Sequence, residues 1–170
     1  MTRAARVFAL IITFVVVQVS VFPHLRILGA VPDLGLLLTL SVAFYEGAEA
    51  AALTGFVAGF ALDLFLQTPV GLSALAYALT GFALGVLQTG VLRSPKWVAP
   101  FVGAAGGLVS GLIFVVVGVL AGAGIGFTYH TFALIGAASL YDFILAPLVF
   151  VLTTRLLGHR PEPVGTVWVR

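Results

Sequence analysis

The sequence contains no cysteine. Disulfides and thiolate metal sites are therefore excluded, and no cysteine is present to carry a prenyl or palmitoyl chain. Charge is almost as scarce, with Asp, Glu, Lys and Arg making up 8% of the residues. A soluble domain carries roughly 25%, so this chain has too little charge to coat a water-facing surface. The histidines, His24, His130 and His159, are isolated, and no metal cluster is legible. No phosphate-binding glycine loop is followed by Lys and Ser or Thr, and Gly71-Leu72-Ser73 lacks the second glycine of a nucleophile elbow. These absences lower the expectation of an enzyme, and no cofactor or metal is expected. The net charge of +2 comes from a few scattered bases and indicates no nucleic-acid partner.

What fills the sequence instead is apolar residues, 61% of the 170. They fall into runs of the length a bilayer demands, about 20 residues per helix with a range of about 17–25. The predicted fold class is an all-α integral membrane protein, one domain over 1–157 with six helices at about 5–22, 31–46, 48–66, 71–92, 97–122 and 131–154. The second run is short and reaches span length only with its polar ends. Residues 158–170 are expected to form an extended or disordered cytoplasmic tail, because they have little apolar content. Arg3 and Arg6 precede the first run as in a signal peptide. That run is long for a cleaved signal and no clear small-x-small site follows, so it is read as a retained helix.

Charge supplies the orientation. With six spans and the N-terminus inside, Arg3, Arg6, Arg93, Lys96, Arg155, Arg160 and Arg170 are cytoplasmic and only Arg26 lies outside. If the short second run were re-entrant, only Arg3 and Arg6 would remain inside. Lysine and arginine favour the cytoplasmic side, so both termini are predicted to be cytoplasmic. Trp97 and Tyr129 sit near predicted membrane edges, where amphipathic rings are favoured.

Glycine recurs at four-residue spacing: Gly55 with Gly59, Gly81 with Gly85, Gly103 with Gly107 and Gly111, and Gly118 with Gly122 and Gly126. Small residues one turn apart let helix backbones approach closely in lipid. They serve either packing within the bundle or a groove for a partner's transmembrane helix, and spacing does not separate the two. Asp63, near the end of the third run, and Asp142, near the middle of the sixth, are acids inside predicted spans. Such residues face the bundle interior and mark a polar lock, ion coupling, a ligand or a partner. Asp33 follows Pro32 at the start of an apolar helix, where a carboxylate caps the N-terminus. Glu46 and Glu49 straddle the turn into the third helix. Pro147 removes one backbone hydrogen bond within the sixth and is expected to kink it.

The order of these features resembles the MreD family of rod shape-determining proteins. Pro32-Asp33 opens a short apolar helix. The stretch from Gly55 through Gly59 to Leu62-Asp63-Leu64 leads into a turn, Gly71-Leu72 restarts the chain, and Gly81 to Gly85 follows. Tyr141-Asp142-Phe143 before Ala146-Pro147 is similar to that family's last helix, although family members often carry Asn where Asp142 stands. The resemblance covers about residues 5–157.

It implies a non-enzymatic scaffold in the bacterial inner membrane, part of the cell-elongation complex that controls shape and peptidoglycan synthesis. The implied partner is an MreC-like single-pass protein, with MreB, the SEDS glycosyltransferase and its penicillin-binding transpeptidase in the same complex. It further implies a fold like the S-components of energy-coupling-factor transporters. Two other classes stay open: an S-component-like binder of a small molecule, and a proton-coupled carrier using Asp63 and Asp142. The partner's helix is expected on the Gly55/Gly59 or the Gly103/Gly107/Gly111 face, with the 23–33 segment and Arg26 beside it.

Overall fold

The computed structural model describes residues 3–22, 29–66, 69–91 and 95–158. They form α1 (Arg3–Ser20), α2 (Leu34–Glu46), α3 (Ala48–Asp63), α4 (Leu72–Val91), α5 (Pro95–Leu120) and α6 (Tyr129–Leu157). Arg26, Arg93 and the tail beyond Gly158 lie outside the described residues.

Helix is what a chain of this composition must form in lipid, because a helix satisfies its own backbone groups where no water can. The helices run alternately up and down. Gln18, near the end of α1, bonds to residues at the start of α2. Gly55 and Gly59 of α3 lie against Tyr77 and Ser73 of α4, while Gly81 and Gly85 of α4 lie against Ala51 and Ala48 of α3. Gly103 and Gly111 of α5 meet Asp142 and Ile135 of α6, again antiparallel. Asp33 at the start of α2 contacts Asp142, and Phe44 near its end packs edge-on to Phe150. These contacts make α2 and α6 parallel. The start of α1 and the end of α6 therefore share one end of the bundle, with Arg6 close to Gly158.

The short second run has a clear place in this arrangement. α2 has 13 residues, about 20 Å at about 1.5 Å per residue, against a hydrocarbon core of about 30 Å. Every residue from Leu34 to Phe44 is buried, and α2 touches all five other helices. A helix that is apolar all round belongs in an interior, and α2 is the axis of the bundle. It starts at Leu34 rather than 31 because the Asp33 side chain accepts from the Leu36 N–H as the N-cap.

Around this axis the other helices turn apolar stripes outward. Phe8, Ile12 and Val16 of α1 are exposed, as are Phe56 and Phe60 of α3, Leu75, Leu79 and Phe82 of α4, and Leu140, Ile144 and Leu148 of α6. Such surface is costly in water and neutral in lipid. α5 and α6 are each long and apolar enough to cross a membrane. α6 continues through Pro147, with neighbouring Ala146 against Gly103.

The glycine faces are filled from within. A Cβ at Gly59 would lie 2.5 Å from backbone atoms of Ser73 and Ala74, and one at Gly55 would lie 2.7 Å from the Tyr77 carbonyl. At Gly103 it would lie 2.6 Å from the Asp142 carbonyl oxygen, and at Gly111 2.8 Å from Ile135. This corrects the expectation that one of these faces receives a partner's helix. Each already holds a helix of the same chain at a distance only glycine permits.

Candidate functional site

Two helices begin inside the bundle at the same end, and each presents backbone N–H groups that no preceding turn can satisfy. Asp63 meets those of α4. Its Oδ2 accepts from the N–H groups of Gly71 at 2.8 Å, Ser73 at 3.1 Å and Ala74 at 3.3 Å. Its Oδ1 lies 3.2 Å from the Ser73 nitrogen. The carboxylate is 1% exposed and sits where the positive end of the α4 dipole favours an anion. Gly71 supports the turn with φ of +108°, in the region that favours glycine.

The start of α2 is met by a larger group. Asp33 caps Leu36 at 3.2 Å. The Gln18 side chain accepts from the Gly35 N–H at 3.2 Å and donates to Asp33 Oδ1 at 3.4 Å. The Tyr77 hydroxyl donates to Asp33 Oδ2. The Asp33 N–H donates to Asp142 Oδ1 at 2.9 Å, joining positions 109 residues apart. Pro32, fully buried before the cap, has no N–H of its own to satisfy. On α5, Gly107 makes room for Asp142: a Cβ there would lie 2.7 Å from Asp142 Oδ2 and 2.9 Å from the Ser139 hydroxyl.

Beside this polar group lies a cavity of about 490 Å³. Its lining includes Gln18, Asp33, Tyr77, Asp142 and Ser110, with walls that include Leu62, Phe114, Leu134 and Ile135. No Lys, Arg or His among the described residues lines it. Among the described residues no three His, Cys, Asp or Glu side chains are grouped to hold a metal.

The structure thus joins Pro32, Asp33, Gly107 and Asp142 into one site, and places Asp63 with Gly71, Gly55 and Gly59 along the α3–α4 seam. Gly103 belongs to the α5–α6 seam, on the side of Asp142 away from Gly107, and Pro147 follows Ala146, the residue that meets it. The sequence reading missed Gln18, Tyr77 and Ser110. Gln18 carried the clearest signal, as the one carboxamide in a mostly apolar first run. Tyr77 and Ser110 looked like ordinary members of their helices.

A helical bundle with apolar outer stripes, two of its helices long and apolar enough to cross a membrane, points to the class of helical membrane proteins. Within that class the match is specific. The family model described as rod shape-determining protein MreD matches residues 1–158, and the chain belongs to the MreD family. Comparisons with curated proteins and with solved structures found no match. Membership implies a role in rod shape determination.

Proposed function

We propose that the chain is a non-enzymatic, multi-pass scaffold of the bacterial inner membrane that binds an MreC-like single-pass protein and thereby supports cell elongation and peptidoglycan synthesis. Family membership over residues 1–158 carries the reading. The proposed orientation places both termini in the cytoplasm, at the end of the bundle where Arg6 and Arg155 lie. The short connections between helices support recognition within the membrane and at its rims. Because the glycine faces are occupied, the partner's helix is assigned to a lipid-facing stripe.

The test uses the absence of native cysteine. Single cysteines at Ile12, Phe60, Leu79, Leu112 and Ile144, all exposed, are paired with a cysteine scan along the partner's transmembrane helix in intact membranes. Buried Ala58 serves as the control. Cross-links from one or two adjacent stripes, with none from Ala58, are expected. Failure of every exposed position to cross-link, in membranes where the two proteins co-purify, contradicts the assignment.

The cavity favours a second reading, that of an S-component-like binder of a small molecule. Its volume falls within the range of about 300–1,000 Å³ typical of ligand pockets, but a pocket by itself does not distinguish transport from scaffolding. Co-purification with an ATPase module in place of an MreC-like protein would favour this reading.

A further inference from the structure

The cavity beside α2 has an unusual balance of charge. Two carboxyl side chains, Asp33 and Asp142, lie on its lining, and among the described residues no basic side chain does. An ionised carboxylate away from water is stable only when paired and hydrogen-bonded. Asp33 has its donors in Leu36, Gln18 and Tyr77. Asp142 receives one, the Asp33 N–H, on Oδ1. Its Oδ2 lies against Gly107 and accepts no hydrogen bond from a described residue. Ser110, one turn beyond Gly107 on α5, also lines the cavity. It is 4% exposed, and its hydroxyl has no hydrogen-bond partner among the described residues. The buried hydroxyls of Thr39, Thr80, Ser139 and Thr153 donate to the carbonyl four residues earlier, while that of Ser41 also lacks a partner among the described residues but is not on the cavity lining.

A carboxylate oxygen and a hydroxyl are thus left for a donor that the described residues do not supply, on the polar side of an otherwise apolar cavity. We propose that the cavity binds a primary amine carried on an apolar body. The ammonium donates to Asp142 Oδ2 and Ser110 Oγ, and the body fills the space against Phe114 and Leu134. An ammonium offers three donors and no acceptor, which suits a lining whose described residues include two carboxyl groups and no cation. The same chemistry is presented by a free alkylamine and by the headgroup of an ethanolamine lipid. The inference is independent of the scaffold reading, because the site lies inside the bundle and needs no protein partner.

The test titrates the full chain, held in phosphatidylglycerol nanodiscs, with hexylamine and with hexanol by calorimetry. With hexylamine both partners of the bond are charged and with hexanol only the acceptor is, so hexylamine is expected to saturate one site at least about tenfold more tightly than hexanol. Asp142→Asn should remove that preference. Ser110→Ala, which deletes one oxygen, should weaken the amine alone. Ala138→Phe should fill the cavity and abolish binding of both. Unfolding temperatures without ligand verify that each variant is folded, and Ser110→Ala and Ala138→Phe suffice if Asp142→Asn is not. Repeating the titration in phosphatidylethanolamine nanodiscs separates the sources. Weakened hexylamine binding there assigns the site to the lipid headgroup, and unchanged binding assigns it to a free amine. Hexanol binding as tightly as hexylamine, or undiminished amine binding in folded Ala138→Phe, overturns the proposal.

Discussion

At the scale of single residues, the interior acids are placed by hydrogen-bond supply. Three N–H groups at the start of α4 converge on Asp63, and leaving a buried donor unmet costs about 1–3 kcal/mol. Asp63→Leu is expected to lower the unfolding temperature in detergent strongly and to impair shape support in cells. Asp63→Asn keeps one acceptor oxygen near the three donors and should retain much of both. Equal loss in the two variants would contradict the capping role. A polar lock at Asp63 was legible in the sequence as one of several uses of an acid inside a span, but that it closes the start of α4 shows only once the turn is folded. The Asp33 cap was legible, because a carboxylate directly before an apolar helix suits its N-terminus. The pairing of Asp33 with Asp142 was not, since nothing local links residues 109 apart. Nor were Gln18 and Tyr77, whose roles arise only when α1 and α4 pack around the start of α2.

At the scale of elements, close approach holds the seams. Lipid tails are as apolar as leucine, so helices associate through packing and polar contacts. α3 and α4 meet where Gly59 faces backbone at a distance no Cβ tolerates. Gly59→Ala must push the two helices apart, and overpacking of this kind costs typically about 1–3 kcal/mol. Gly136 of α6 is the control, since a Cβ there meets nothing within 4 Å. Gly136→Ala is expected to be neutral, or stabilising by up to about 1 kcal/mol through helix propensity. Thermal unfolding of the two variants side by side measures the difference, and a Gly59→Ala protein as stable as wild type would refute the seam. The glycine spacing was plain in the sequence, but which face met which helix was not. Glycine permits close approach by any backbone, and the choice of partner is made by the whole bundle. The short second run was likewise visible, while its place at the axis was not. Only the packing of five helices around it shows why it need not reach both edges of a bilayer.

At the scale of the whole molecule, the up-and-down order puts the start of α1, the end of α4, the start of α5 and the end of α6 at one end. Reporter fusions at Arg170 and within residues 92–94 are expected to read cytoplasmic together, and a periplasmic reading at either would break the proposed orientation. Six helices and their alternation follow from hydrophobic runs and the placement of basic residues, both one-dimensional signals. The cavity does not, because it forms where the α5–α6 hairpin, α1 and α4 leave space beside α2. The central claim is that this bundle supports rod shape as a member of its family. Depletion of the native protein in the bacterium that encodes it, with cell width and length followed by microscopy, tests that claim most directly. Depleted cells are expected to widen and round, wild-type protein and Asp63→Asn to restore rods, and Asp63→Leu to fail. Cells that keep their width and length after the protein is gone, with no second copy of the family expressed, would contradict it.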